Sequence, residues 1–295
     1  PPTGINVENP EITSVNRAEP GVVTAAARLA DAALAPGTRV GNFIIDRVLG
    51  VGGFGIVYRA EQDVTGRHVA IKEFFPSTMV DRQGSRAVSL HAESDAELFA
   101  LGMRCFVKEA TLLSGLHHPG LVQVLHFWEE NGTAYMVMPL YEGEPLSSHA
   151  RTLPPEQLPA LIDTLMAGLM PALAYLHERQ IYHRDISPDN VFMLANGQPL
   201  LLDFGAARRI VDKSESVTVI LKTGYAPIEQ YDEAGRQGAW TDIYAFSALL
   251  YKLVTGQAPP ASAVRVCHDT VEPLARTQAG RFSPAVLRAI DAGLA

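Results

Sequence analysis

The chain has 295 residues, 47% of them hydrophobic, and a net charge of −8. That suffices for one large or two ordinary domains with a buried core, and the acidic balance argues against a nucleic-acid partner. The two cysteines, Cys105 and Cys267, fit no metal or redox spacing and read as buried reduced thiols of a cytoplasmic domain.

No run of about 18 apolar residues stands out as a membrane span. A start at Pro1 rather than Met predicts a piece of a longer protein, with any membrane anchor outside it. Residues 1–37, rich in Pro, Ala and small polar residues, read as a tail or linker.

Strand-like segments dominate residues 38–140. Val40–Leu49 has strand character, and GVGGFGIVYRA follows, with Gly50, Gly52 and Gly55 spaced G-x-G-x-x-G and Val57 just beyond. Glycines at this spacing let backbone N–H groups approach a phosphate closely. The motif alone is weak, because dinucleotide-binding turns share it. Here IVYRAEQ continues as a second strand rather than a helix, which predicts a hairpin lid with Val57 facing a flat ligand. A third strand, Arg67–Glu73, carries Ala70 and Lys72; a lone strand lysine is ordinarily a solvated surface residue. Residues 74–101 then predict a small hairpin (Met79–Val80 with Ala87–Leu90 around Arg82-Gln83-Gly84) and a short helix from Glu93 to Leu101. RCFVKEATLLSGL predicts a second helix bearing Glu109, with Phe106, Leu112, Leu113 and Leu116 at helical spacing. Asn131-Gly132 is a hairpin turn signal between two strands, after which the chain reaches Met138-Pro139-Leu140-Tyr141.

From Pro154 the composition turns helical. Leu161, Leu165, Leu169, Leu173 and Leu176 form a core stripe, and His177 behind them reads as a surface or capping residue. Next comes IYHRDISPDNVFMLANGQPLLLDFG, in which Asp185 and Asp203 bracket a short hairpin and Asn190 lies five residues after the first. An Asp that orients a hydroxyl, and an Asn and a second Asp that hold a metal, are the parts phosphoryl transfer needs. In that chemistry Mg²⁺ neutralises the transferred group and the protein mainly positions the reactants. GYAPIEQY follows, then TDIYAFSALLYKLVTGQAPP, a helix closed by Thr255-Gly256. Residues 261–295 carry no recognisable chemistry.

In that order, the glycine lid, HVAIKE, HRDISPDN, LLDFG, GYAPIEQY and TDIYAF resemble the bacterial serine/threonine (Hanks-type) protein kinase family over about residues 40–290. The resemblance implies an α+β, bilobal fold: an antiparallel sheet with one main helix in residues 38–140, and a mostly helical lobe in 141–295. ATP would lie between them, bounded by Gly50, Gly52, Gly55, Val57, Ala70, Lys72, Met138, Pro139, Tyr141 and Phe192. Proline lacks an N–H, but the first hinge position is used for its carbonyl, and Tyr141 supplies the N–H. The resemblance pairs Lys72 with a glutamate on the next long helix. Glu109 is preferred to Glu97 because LHHPGLVQVL follows it. Asn190 and Asp203 would hold Mg²⁺, and Asp185 would take the proton of a protein Ser or Thr hydroxyl. Arg184 would meet a phosphorylated activation loop, with Ser214, Ser216, Thr218 and Thr223 as candidate autophosphorylation sites. Asp242 would brace the backbone of the HRD turn.

Three departures from the family pattern remain. The stretch between Lys72 and Glu109 is long, and the extra residues either regulate that pair or form an ornamental loop. Ser187 stands where the family usually has a catalytic lysine, and Lys222 where it has a threonine. Either the two have exchanged, so that Lys222 supplies the cation, or Lys222 faces solvent in a weak enzyme. Glu229 lacks an evident arginine partner, since Arg281 and Arg288 fit poorly, and the chain stops about where a last helix should begin. Three other classes compete: a purely structural interaction module, which leaves the carboxylate spacing unexplained; a pseudokinase-type scaffold that binds a partner without transfer; and a small-molecule kinase of the aminoglycoside or choline type. The last is not expected to carry HRD, DFG, the APIEQ segment and Asp242 together.

Overall fold

The computed structural model describes residues 32–82, 84, 86–204, 222–232 and 235–295. Its first layer is a six-stranded sheet with the order β1-β2-β3-β4-β8-β7. β1 (Arg39–Val40) turns directly into β2 (Phe43–Gly52), so the single strand expected over Val40–Leu49 is two strands paired antiparallel. β3 (Gly55–Gln62) returns along β2, and β4 (His68–Phe74) along β3. β7 (His126–Glu130) and β8 (Thr133–Pro139) are joined by Asn131 and Gly132, both at positive φ, as the tight primed hairpin turn demands.

The insert contains the expected hairpin, with β5 (Val80–Asp81) paired to β6 (Ser89–Leu90). The expected separate helix from Glu93 to Leu101 does not exist. A short 3₁₀ turn leads straight into α1 (Ala96–Ser114), a single helix of 19 residues that also carries Glu109. The sequence offers only Gly102 as a breaker between the two halves. One buried glycine costs a helix about 1 kcal/mol, less than packing Phe99, Phe106 and Leu113 on the sheet returns. Leu112, expected on that face, is instead exposed, as 3.6-residue periodicity requires of the neighbour of a buried Leu113.

The most deeply buried polar group on the sheet is one the sequence reading passed over. Glu73, on β4, is fully buried. Its carboxylate accepts hydrogen bonds from the Tyr58 hydroxyl (2.7 Å), the Tyr135 hydroxyl (3.0 Å) and the guanidinium of Arg82 in the insert. Arg82 also donates to the Ala32 carbonyl (2.7 Å) and the Arg86 carbonyl (3.0 Å), and it lies over the Phe75 ring. The Leu34 amide donates to the Tyr58 hydroxyl (3.2 Å), so the segment before β1 is tied into the same network. Burial and the Glu73 charge push both tyrosines above the ordinary phenol range, which keeps them neutral donors.

The second layer is helical. α2 (Leu146–Thr152) leads to α3 (Leu158–His177), which buries Leu161, Leu165, Leu169, Leu173 and Leu176 against α4 (Ala239–Thr255) and the small sheet β11-β10-β9. Residues Pro155–His177 are long and apolar enough to cross a membrane by length and composition, contrary to the expectation of no such stretch. In the structure the leucine face of that helix is core. β9 (Gly143–Pro145), β10 (Val191–Leu194) and β11 (Pro199–Leu201) lie beneath the hinge. Three short helices complete the chain: α5 (Ser262–Cys267), α6 (Leu274–Thr277) and α7 (Pro284–Gly293), the last packed on α4. Cys105 is half-buried and Cys267 exposed, so the expected pair of buried thiols is not found.

Candidate active site

Cross-strand register assembles the roof of a cleft. Gly50 stands opposite Val57, Val57 opposite Lys72, and Ala70 opposite Met138. Gly50, Gly52 and Gly55 thus belong to a β-hairpin, as the continuing strand predicted. Pro139 ends β8 and Tyr141 follows it, with the Tyr141 hydroxyl accepting from the Gln123 amide (3.2 Å). Phe192 is half-buried in β10, directly beneath.

The floor is the turn after α3. Asp242, in the first turn of α4, is fully buried, and its two oxygens accept the amides of His183 (2.9 Å) and Arg184 (2.7 Å). The left-handed backbone at Arg184 (φ 68°) is held in place by these bonds. His177, read as a surface residue, is the third partner of Asp242, at 2.8 Å. The His183 ring sits within 2.7 Å of the Leu202 carbonyl, and its other nitrogen receives the Asp185 amide at 3.3 Å. That pattern needs a neutral imidazole, and burial lowers its pKa to suit. Gln230 donates to the Arg184 carbonyl (3.0 Å), a tie the sequence reading missed. Glu229 finds a partner close by: it accepts the Thr241 hydroxyl at 2.8 Å, and no arginine pairs with it among the described residues.

On this frame the acidic groups converge. Asn190 donates to both the Asp185 carbonyl (2.7 Å) and the Asp185 carboxylate (2.8 Å), fixing the side chain of Asp185. Lys72 forms an ion pair with Asp203 at 2.6 Å. Burial alone would lower the lysine and raise the aspartate; their mutual attraction outweighs it, and both shift toward the charged pair. The expected Lys72–Glu109 ion pair is not formed. Glu109 is buried and accepts the Phe204 amide at 3.1 Å. Burial pushes its carboxyl up to about 8, with the Lys72 charge offsetting only part. Lys222 lies inside the cleft, not in solvent. Its ammonium donates to Ser187 Oγ at 2.6 Å and stands 3.9 Å from Asp185 and 3.9 Å from Asp189. Ser214, Ser216 and Thr218 lie outside the described residues, as does Gly205; Thr223 is described and exposed.

Among the described residues no cluster of three or more His, Cys, Asp or Glu side chains forms a metal cage. Asn190 and Asp203 instead offer amide and carboxylate oxygen, the hard donors that suit Mg²⁺ when phosphates and waters complete the set.

The protein kinase domain model matches residues 43–279. The chain is 34% identical over 238 residues to serine/threonine-protein kinase pkn2 of Myxococcus xanthus, covering 77% of this chain and 26% of that protein. It is 31% identical over 257 residues to serine/threonine-protein kinase PrkC of Bacillus subtilis, covering 85% and 36%. The chain therefore spans well under half the length of either relative. Among solved structures, the apo form of PpkA-294 matches with a TM-score of 0.84 at 42% identity, over 90% of this chain and 93% of that one. A mutant of the Mycobacterium tuberculosis PknI kinase domain matches with a TM-score of 0.60 at 23% identity, over 88% and 90%, a likeness of fold alone.

Proposed function

The chain belongs to the protein kinase family, as a kinase domain of the bacterial serine/threonine type, and from that premise we propose that it transfers the γ-phosphoryl group of ATP to Ser and Thr hydroxyls of proteins, itself among them. The observation that carries this is Asp185, aimed by Asn190 and by a turn that Asp242 braces. Asp185 orients the attacking hydroxyl and takes its proton. Lys72 exchanges Asp203 for the α- and β-phosphates and gains Glu109 as its partner. Asn190 and Asp203 would hold Mg²⁺, which would supply charge neutralisation on the phosphates. The Pro139 carbonyl and Tyr141 amide read the adenine ring, and Met138, Ala70, Val57 and Phe192 enclose it. We read the domain as cytoplasmic, where ATP is at hand.

The test is incubation with radiolabelled ATP, a generic protein substrate and an Asp185→Asn control. Label in the wild type alone, on Ser and Thr, is expected. A scaffold that binds a partner without transfer is favoured by one observation, the Glu109 carboxyl held by Phe204 rather than by Lys72. Tight nucleotide binding with no label in either protein would establish that reading instead.

A further inference from the structure

We propose that Lys222 is the cation that stabilises the transferred phosphoryl group, so that phosphoryl transfer, but not nucleotide binding, requires the segment 222–232 to be seated. The proposal rests on the kinase reading above.

The side chain of Lys222 is only 17% exposed, and its ammonium stands 3.9 Å from the carboxylate that faces the attacking hydroxyl. Burying a charge is costly unless it is paired, and this one is met by Ser187 Oγ at 2.6 Å, with Asp185 and Asp189 each at 3.9 Å. Ser187 is fully buried two residues after Asp185, at the bottom of the same turn. A lysine there would bring its own charge on the catalytic turn. A serine brings only a hydroxyl that accepts the charge from elsewhere.

What delivers Lys222 is a different part of the fold. Its carbonyl accepts the amides of Tyr225 (2.9 Å) and Ala226 (3.3 Å), closing a tight turn. Gly224 in that turn has φ +87°, and a Cβ there would lie 2.5 Å from the Pro259 carbonyl, so the turn is pressed onto the loop before α5. The Ser262 hydroxyl then holds the Ala226 carbonyl at 2.8 Å. The cation is thus mounted on the segment that seats against α5. The proton acceptor is mounted on the turn braced by α4.

In the transfer step the substrate hydroxyl oxygen bonds to the γ-phosphorus while the bond to the β,γ-bridging oxygen breaks. The hydroxyl proton passes to Asp185, and ADP leaves with the bridging oxygen's electron pair. Lys222 stays protonated throughout and offsets charge on the γ-oxygens. Unseating the 222–232 segment withdraws that charge, together with the Gln230 bond to the Arg184 carbonyl, and leaves Lys72, the glycine hairpin and the hinge in place.

The experiment compares wild type, Lys222→Ala and the relocated pair Ser187→Lys/Lys222→Ser. Turnover, ADP affinity by calorimetry and hydrogen exchange across 222–232 are read on each. Loss of one preorganised charge-stabilising donor typically costs about 10²–10³-fold in kcat. We expect that loss for Lys222→Ala with ADP affinity within about 3-fold, and recovery to within about 10-fold in the relocated pair even where exchange across 222–232 stays fast. Turnover of Lys222→Ala within about 3-fold of wild type would overturn the proposal. So would failure of the relocated pair to regain turnover while its fold and ADP affinity are intact, which would leave Lys222 as a mere anchor of the segment. Absence of turnover in the wild type would sink the kinase reading itself, a separate result.

Discussion

Replacing Arg82 with methionine should be among the most damaging single changes outside the cleft. The substitution keeps the stem of the side chain but strands the Glu73 carboxylate, which is wholly buried and then retains only the Tyr58 and Tyr135 hydroxyls. The Ala32 and Arg86 carbonyls lose their donor at the same time. Breaking one side of a buried ion pair costs about 3–5 kcal/mol. For a domain of this size that is a fall in Tm of roughly 6–20 °C, at about 2–4 °C per kcal/mol. Removing the stranded charge as well should undo part of the damage, so Glu73→Gln/Arg82→Met is expected to be more stable than Arg82→Met alone. Urea denaturation of the two single variants, the double variant and wild type gives the coupling directly, provided the m-values agree. A loss below about 1 kcal/mol for Arg82→Met, or simple additivity in the cycle, would refute the claim that the insert is clamped to the sheet through this pair.

The Glu109 carboxyl should make activity and stability depend on pH in opposite directions. Its ordinary value is 4.5 and burial pushes it up to about 8. The stability gained from the neutral carboxyl is therefore full below about pH 4.5 and lost as pH rises through about 8. The arrangement with Lys72 bound to Asp203 is favoured at low pH, and the ionised Glu109 that Lys72 needs appears above it. kcat/KM should rise between about pH 7 and 9, and Glu109→Gln should be slow and flat across that range; a rising limb that survives in Glu109→Gln would assign it elsewhere. Asp242→Ala strips the His183 and Arg184 amides and the His177 ring of their common acceptor. It should cost about 2–5 kcal/mol of stability and lower kcat more than it raises the KM for ATP, measured by steady-state kinetics on the folded fraction.

What the sequence made legible was mostly local. The glycine hairpin, HRDISPDN and LLDFG each carry their geometry within a few residues, so Asp185, Asn190 and Asp203 could be brought to one cleft on paper. Asp242 was also found, through the resemblance of TDIYAF to the family pattern, although an Asp at a helix start is ordinarily a cap. The misses are long-range or run against hydropathy. Glu73 shares the face of the apolar Val69 and Ile71 on β4, and nothing beside it in the sequence announces the Arg82, Tyr58 and Tyr135 that satisfy its buried carboxylate. The long α1 helix was cut in two at Gly102, since nothing local announces that tertiary packing spans the weak point. Glu229 was left without an evident partner because only an arginine was sought, while Thr241, twelve residues ahead, donates to it. The Ser187–Lys222 contact is what one of the two options implied, and a solvent-facing Lys222, implied by the other, is not found.

The central claim is that Asn190 and Asp203 turn the cleft into a magnesium–nucleotide site. Calorimetric titration of a non-hydrolysable ATP analogue, with and without Mg²⁺, on wild type and Asp203→Asn tests it most directly. The account predicts that Mg²⁺ tightens binding at least tenfold in the wild type and has little effect in Asp203→Asn; equal affinity with and without Mg²⁺ in the wild type would contradict it.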